Sequence, residues 1–130
     1  MKIGFIGYGE AAFNISLGLK NEGITGIRAN DAMMNHEVMG KQVYARADQA
    51  SVTLVESAKE IARWADVLFA AVPSSFTMDV CNEIKEYLRP NQVYVDVSAS
   101  TPVTKTAIWE AVKATGCLLY TSDAADDTPC

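Results

Sequence analysis

Residues 2–20, KIGFIGYGEAAFNISLGLK, decide the fold, because they join a buried strand, a glycine turn and a helix start in one run. Lys2 to Gly7 reads as a short apolar strand and Gly7 to Ala12 as G-x-G-x-x-A. Ala11 to Lys20 reads as a helix with apolar residues at Ala12, Phe13, Ile15, Leu17 and Leu19. Gly7 permits the tight turn out of the strand. Gly9 has no Cβ and lets a pyrophosphate approach the backbone, and Ala12 is small enough for close helix–strand packing. The N–H groups of the helix's first turn then face the anion, with the positive end of the helix dipole behind them. A glycine fingerprint alone is weak evidence. Here it follows a strand and precedes a helix, and the acidic Asp31 arrives 22 positions after Gly9, at the end of the next strand. That combination predicts a dinucleotide site.

The chain has 130 residues, enough for one domain burying about two thirds of its unfolded surface. With 49% hydrophobic and 21% charged residues the composition is that of a globular domain, and no apolar run approaches the ~20 residues that cross a bilayer. Met1 leads into the first strand without a basic or cleavable leader, so a cytoplasmic protein is expected. Cys81, Cys117 and Cys130 show no C-x-x-C spacing, which argues against a disulfide framework and a zinc site; no metal is expected. A net charge of −5 without a basic cluster argues against a nucleic-acid partner. An anionic cofactor would be held by backbone amides.

Further along, Gly23 ends helix one and Gly26 to Asp31 reads as strand two. Asp31 would accept the hydroxyls of an adenosine ribose and repel a 2′-phosphate, which favours NAD over NADP. Two alternatives stay open: Asp31 as a solvated loop acid or helix cap, and Arg28 as the cation that accommodates a 2′-phosphate. Met33 to Ala50 reads as a helix whose Met33, Met34, Val38 and Met39 pack in the core, with the lone His36 on its surface. Ser51 to Val55 is a short strand, and Ser57 with Glu60 forms a capping box for a helix over Ala58 to Trp64. Asp66 to Pro73 is a continuous apolar strand of the kind buried on both faces, followed by a helix from Ser74 to about Leu88. Gln92 to Val97 is the next strand, and Ser98 to Thr101 enters a helix that starts at Pro102. Right-handed crossovers make this an α/β Rossmann-type, doubly wound parallel sheet of five to six strands with helices on both faces. Gly7, Asp31, Pro73 and Ser98 then line one edge.

Gly7 to Ala12, Asp31, Val72-Pro73 and the run DVSASTP at Asp96 to Pro102 together resemble the N-terminal domain of the β-hydroxyacid dehydrogenases, over residues 1–116. This resemblance implies hydride transfer between NAD(P) and a small β-hydroxy acid. It implies that Gly7, Tyr8, Gly9, Glu10, Ala11 and Ala12 hold the pyrophosphate and that Asn30 and Asp31 meet the ribose. Val72, Pro73, Thr77 and Ala99 would complete the cofactor contacts, with Ser98 and Ser100 at the substrate end. Two departures stand out: Ala99 replaces a hydroxyl residue usual beside the nicotinamide, and Thr77 replaces an asparagine. In the family a catalytic lysine comes from a following all-helical domain, so no catalytic residue is assigned here, and the parent is expected to be a homo-oligomer acting on a small molecule. The other readings are a non-catalytic dinucleotide-binding module and half of an imine or ketoacid reductase. Cys117 to Asp127, CLLYTSDAADD, resembles the translation of a transposon-end sequencing adaptor. Residues 117–130 are therefore read as a non-native tail, and the helical catalytic domain as absent.

Overall fold

The structure, a computed structural model, describes residues 1–121. Six strands run parallel: β1 (Ile3–Ile6), β2 (Arg28–Asn30), β3 (Thr53–Leu54), β4 (Val67–Ala70), β5 (Val93–Asp96) and β6 (Leu118–Thr121). Their order is β3-β2-β1-β4-β5-β6, so the chain reverses its direction of winding between β1 and β4. β1 is buried along its whole length, as a central strand with helices on both faces must be. Its Phe5 is opposite Ala29 on one side and Phe69 on the other, and the Phe5 and Phe69 rings stack at 4.9 Å.

Helices α1 (Glu10–Asn21) and α2 (Met39–Ala50) cover one face and close a core around Phe5, Tyr8, Ala12, Ile27, Val43 and Ala47. Helices α3 (Ala58–Trp64), α4 (Thr77–Ile84) and α5 (Pro102–Val112) cover the other, around Ile61, Leu68, Ile84, Tyr94, Ile108 and Val112. The predicted doubly wound sheet is thus formed, with its switch point beside the first glycine of the fingerprint.

Three local features differ from the sequence reading. Strand two begins at Arg28, because Gly26 has a φ of 75° and breaks the extended run. The second helix begins at Met39 and not Met33. Asp31 Oδ1 accepts from Met33 N and Asp31 O from Met34 N, and these bonds turn the chain before a helix can start. His36 lies in that turn, where its Nδ1 accepts from Val38 N and Met39 N at 3.1 and 3.0 Å just ahead of α2. Leu118–Thr121, within the stretch read as a non-native tail, pairs with β5 along its whole length and makes the sixth of the five to six strands expected. Residues 122–130 of that reading lie outside the described residues.

Two buried polar side chains on β5 and its approach differ in how they are satisfied. Gln92 Nε2 donates to the carbonyls of Ala62 and Ala65 at 2.7 and 2.8 Å, and its Oε1 accepts from Arg89 N, tying α3 to the turn before β5. Tyr94 is fully buried with no hydrogen-bond partner for its hydroxyl. Burial pushes its phenol well above the ordinary 10.0, reinforced by the neighbouring Cys81 and Asp96. Gln92→Leu strands the Ala62 carbonyl and should cost about 2–3 kcal/mol in denaturant unfolding, whereas Tyr94→Phe should stay within about 1 kcal/mol of wild type. The pH dependence separates them further. A folded pKa above the unfolded one gives stability fully present below about pH 10 and lost as pH rises toward the folded value, and Tyr94→Phe should remove that share of the alkaline loss.

Candidate dinucleotide site

The first glycine is fixed by its own backbone and by the next strand. Gly7 has a φ of 88°, and a Cβ there would stand 2.5 Å from the Ala71 carbonyl oxygen. Its N–H donates to Asn30 O at 2.7 Å, which holds the loops after β1 and β2 together. Gly9 is different: a Cβ there would meet nothing within 4 Å. Gly9 is also the N-cap of α1 and supplies no side-chain cap, whereas Ser57 and Thr101 accept from Glu60 N and Thr104 N at the starts of α3 and α5. The fingerprint therefore presents an uncapped helix start behind an open backbone, which suits an anion.

In front of it lies a cavity of about 840 Å³, walled by the loops after β1, β2, β4 and β5 and by one face each of α2 and α4. Of the predicted site residues, Gly7, Gly9, Glu10, Ala11, Asp31, Val72, Pro73, Ser98 and Ala99 line it. The others lie behind this wall. Tyr8 and Ala12 are fully buried in the core under α1, and Asn30 turns its Nδ2 to Val55 O at 3.0 Å. Thr77 is fully buried with its Oγ1 unpartnered. Ser100 is buried, and its hydroxyl bonds to that of Ser98.

Asp31 joins the loop after β1 to the turn after β2. Its Oδ2 accepts from Tyr8 N at 2.7 Å and its Oδ1 from Met33 N at 2.8 Å, so the carboxylate clasps the glycine loop to the turn after β2. Each oxygen keeps a lone pair for a further donor. The two readings of Asp31, loop acid and ribose acceptor, are thus compatible in geometry. Burial pushes the Tyr8 phenol up, while its bond to Ser16 and the Arg46 guanidinium pull it partly back. At the opposite side, Asp96 Oδ1 accepts from both Ser98 N (3.0 Å) and Ser98 Oγ (2.7 Å) and fixes the loop after β5.

Several lining residues were not picked out from sequence. Met33 and Met39, read as core packing, are each 45% exposed and line the cavity with Phe76, which is 55% exposed. Met39, Gln42, Val43 and Arg46 form one stripe of α2 at helical spacing. Asp79 and Glu83 line the wall from α4. Arg28 is taken up elsewhere, with its guanidinium 4.3 Å from the Trp64 ring centroid. Among the described residues no group of three or more His, Cys, Asp or Glu side chains is placed to hold a metal ion. None of the helices there is long and apolar enough to cross a membrane.

Residues 2–100 match the family described as NADP oxidoreductase, coenzyme F420-dependent. The chain belongs to this family. Within its wider neighbourhood, pyrroline-5-carboxylate reductase of Pseudomonas aeruginosa is 30% identical over 111 residues, which are 83% of this chain and 38% of that protein. A conserved hypothetical protein from Sinorhizobium meliloti shares the fold at a TM-score of 0.82 and 27% identity, covering 93% of this chain and 40% of that one. 3-Hydroxyisobutyrate dehydrogenase of Mycobacterium tuberculosis superposes at a TM-score of 0.78 and 19% identity, over 92% of this chain and 39% of that one. The resemblance to β-hydroxyacid dehydrogenases holds at the level of fold. This chain spans about two fifths of the length of these proteins.

The two glycines separate folding from binding. Gly7→Ala should lose at least about 2 kcal/mol of stability, from a left-handed backbone and a clash with Ala71 O. Gly9→Ala should keep the melting temperature within a few degrees yet weaken dinucleotide binding about tenfold or more, measured by calorimetric titration, because its Cβ occupies the open approach.

Proposed function

We propose that this domain holds a nicotinamide dinucleotide along the carboxyl edge of its sheet, on behalf of an oxidoreductase that moves a hydride to or from a small substrate. The observation that carries the reading is the uncapped start of α1 behind Gly9, opening on a cavity at the strand-order reversal. Membership of the NADP oxidoreductase family supports it.

In this reading the N–H groups at the start of α1 take the pyrophosphate, and Asp31 accepts from the adenosine ribose. The apolar Met33, Met39 and Phe76, exposed in the cavity, exclude water from the adenosine. Val72 and Pro73 line the path toward Ala99 and Ser98, where the nicotinamide and substrate would meet. Asp96 holds the Ser98 hydroxyl in one orientation. The dinucleotide, when bound, supplies the hydride chemistry at its nicotinamide. The accompanying proton on the substrate's oxygen or nitrogen is assigned to a lysine outside residues 1–116, in a helical domain of a longer parent. Residues 117–130 are proposed to be foreign to that parent.

The substrate proposed is a small β-hydroxy acid. A second reading, reduction of a carbon–nitrogen double bond, is favoured by the 30% identity to a pyrroline-5-carboxylate reductase. Both require a second wall for the substrate cleft, since positioning and exclusion of water account for many powers of ten in rate. The 130-residue chain should therefore bind NADH or NADPH in fluorescence titrations, yet show no hydride transfer with 3-hydroxyisobutyrate, threonate, 6-phosphogluconate or pyrroline-5-carboxylate. Turnover above the uncatalysed background would show a complete active site within the chain and overturn the assignment of the proton to a missing lysine.

Asp31 also bears on cofactor choice, because its carboxylate repels a 2′-phosphate and so favours NADH. Asp31→Asn removes the charge and keeps one acceptor oxygen, at the loss of one of the two backbone bonds to Tyr8 N and Met33 N. It should raise the NADPH affinity relative to NADH by about five- to tenfold, read from paired titrations at low salt.

A further inference from the structure

We propose that Arg46 binds the 2′-phosphate of NADPH, so that cofactor choice in this chain is set by Arg46 working against Asp31. The inference rests on the dinucleotide reading above. Arg46 is the one Lys or Arg among the residues that line the cavity, against the four carboxylates Glu10, Asp31, Asp79 and Glu83. It stands on the α2 stripe with Met39, Gln42 and Val43, facing the same space as the Asp31–Ala32–Met33 turn where the adenosine ribose would lie. Its guanidinium lies near enough to the Tyr8 phenol beneath the glycine loop to pull that phenol's pKa down.

Among the described residues Arg46 has neither an ion pair nor a side-chain hydrogen bond. Its guanidinium donors are therefore available to an incoming anion. The competing cation is engaged: Arg28 stacks on Trp64, on the side of the sheet covered by α3. The carboxylate that would most oppose a 2′-phosphate is also restrained. Both Asp31 oxygens already accept a backbone N–H, which offsets part of its negative charge. A guanidinium facing that carboxylate across the ribose position offsets the remaining repulsion.

The test compares NADPH and NADH binding to the full 130-residue chain and to Arg46→Gln and Arg46→Lys, by titration of nicotinamide fluorescence at two salt concentrations. Arg46→Gln should weaken NADPH about tenfold and leave NADH within about twofold, and Arg46→Lys should recover most of the NADPH loss. The salt dependence of NADPH binding should become shallower in Arg46→Gln. Unchanged thermal midpoints show that the variants fold. Equal weakening of both cofactors would place Arg46 on the pyrophosphate, and no weakening would free it of any role. Either outcome overturns the inference while leaving the dinucleotide reading standing. Failure of the wild-type chain to bind either cofactor overturns both.

Discussion

The constraint on which the rest of this domain depends is the approach of the loop after β1 to the loop after β4. The backbone at Gly7 passes so close to the Ala71 carbonyl that no side chain fits, and it does so at a positive φ. From that one turn follow the pairing of Gly7 N with Asn30 O, the exit angle of α1 and the position of its first turn over the sheet edge. The neighbouring strands β2 and β4 leave β1 on opposite sides, so their loops diverge and open a crevice. The cavity is thus the space left by reversing the strand order, with a helix start aimed into it.

Most of this architecture was legible because the central strands have no polar face. Ile3–Ile6 and Val67–Ala70 are short apolar runs that only burial on both sides explains, and the Ser57 cap and Pro102 mark helix starts as expected. The segment between Ala32 and Val38 was not legible. Its methionines and the helix-compatible residues around them fit a helical pattern, but two side chains, Asp31 and His36, take backbone N–H groups and stop helix formation until Met39. Misplacing that start gave Ala32 to Val38 a helical face they do not have. It also turned two cavity methionines into apparent core residues. Composition could not reveal this, because a methionine in a core and one beside a ligand differ only in what covers them.

The candidate site was legible where it is made of backbone and hidden where it is made of side chains from distant elements. Gly7, Gly9 and Asp31 announce themselves by spacing. Asp79 and Glu83 on α4, and Arg46 on α2, reach the cavity only because the two faces of the sheet bring their helices to the same edge. Tyr8, Asn30, Thr77 and Ser100 carry the opposite lesson. Each lies within a residue or two of the loops that line the cavity, yet its side chain points into packing or into a neighbour's hydrogen bond.

Asp96 shows how burial converts a strand residue into a support for the site. A fully buried carboxylate needs donors, and β5 provides none at its end. The loop answers by folding back, so that Ser98 gives both its N–H and its hydroxyl to Asp96 Oδ1, and Ser100 then joins Ser98. The other oxygen, Oδ2, stays unpartnered beside Tyr94 and Cys81, whose groups burial keeps protonated. The carboxylate's stabilisation therefore comes almost wholly from the loop it organises. Loosening Ser98 would leave the buried Asp96 carboxyl without its donors, and this couples the geometry at the far end of the cavity to the integrity of the core beneath it.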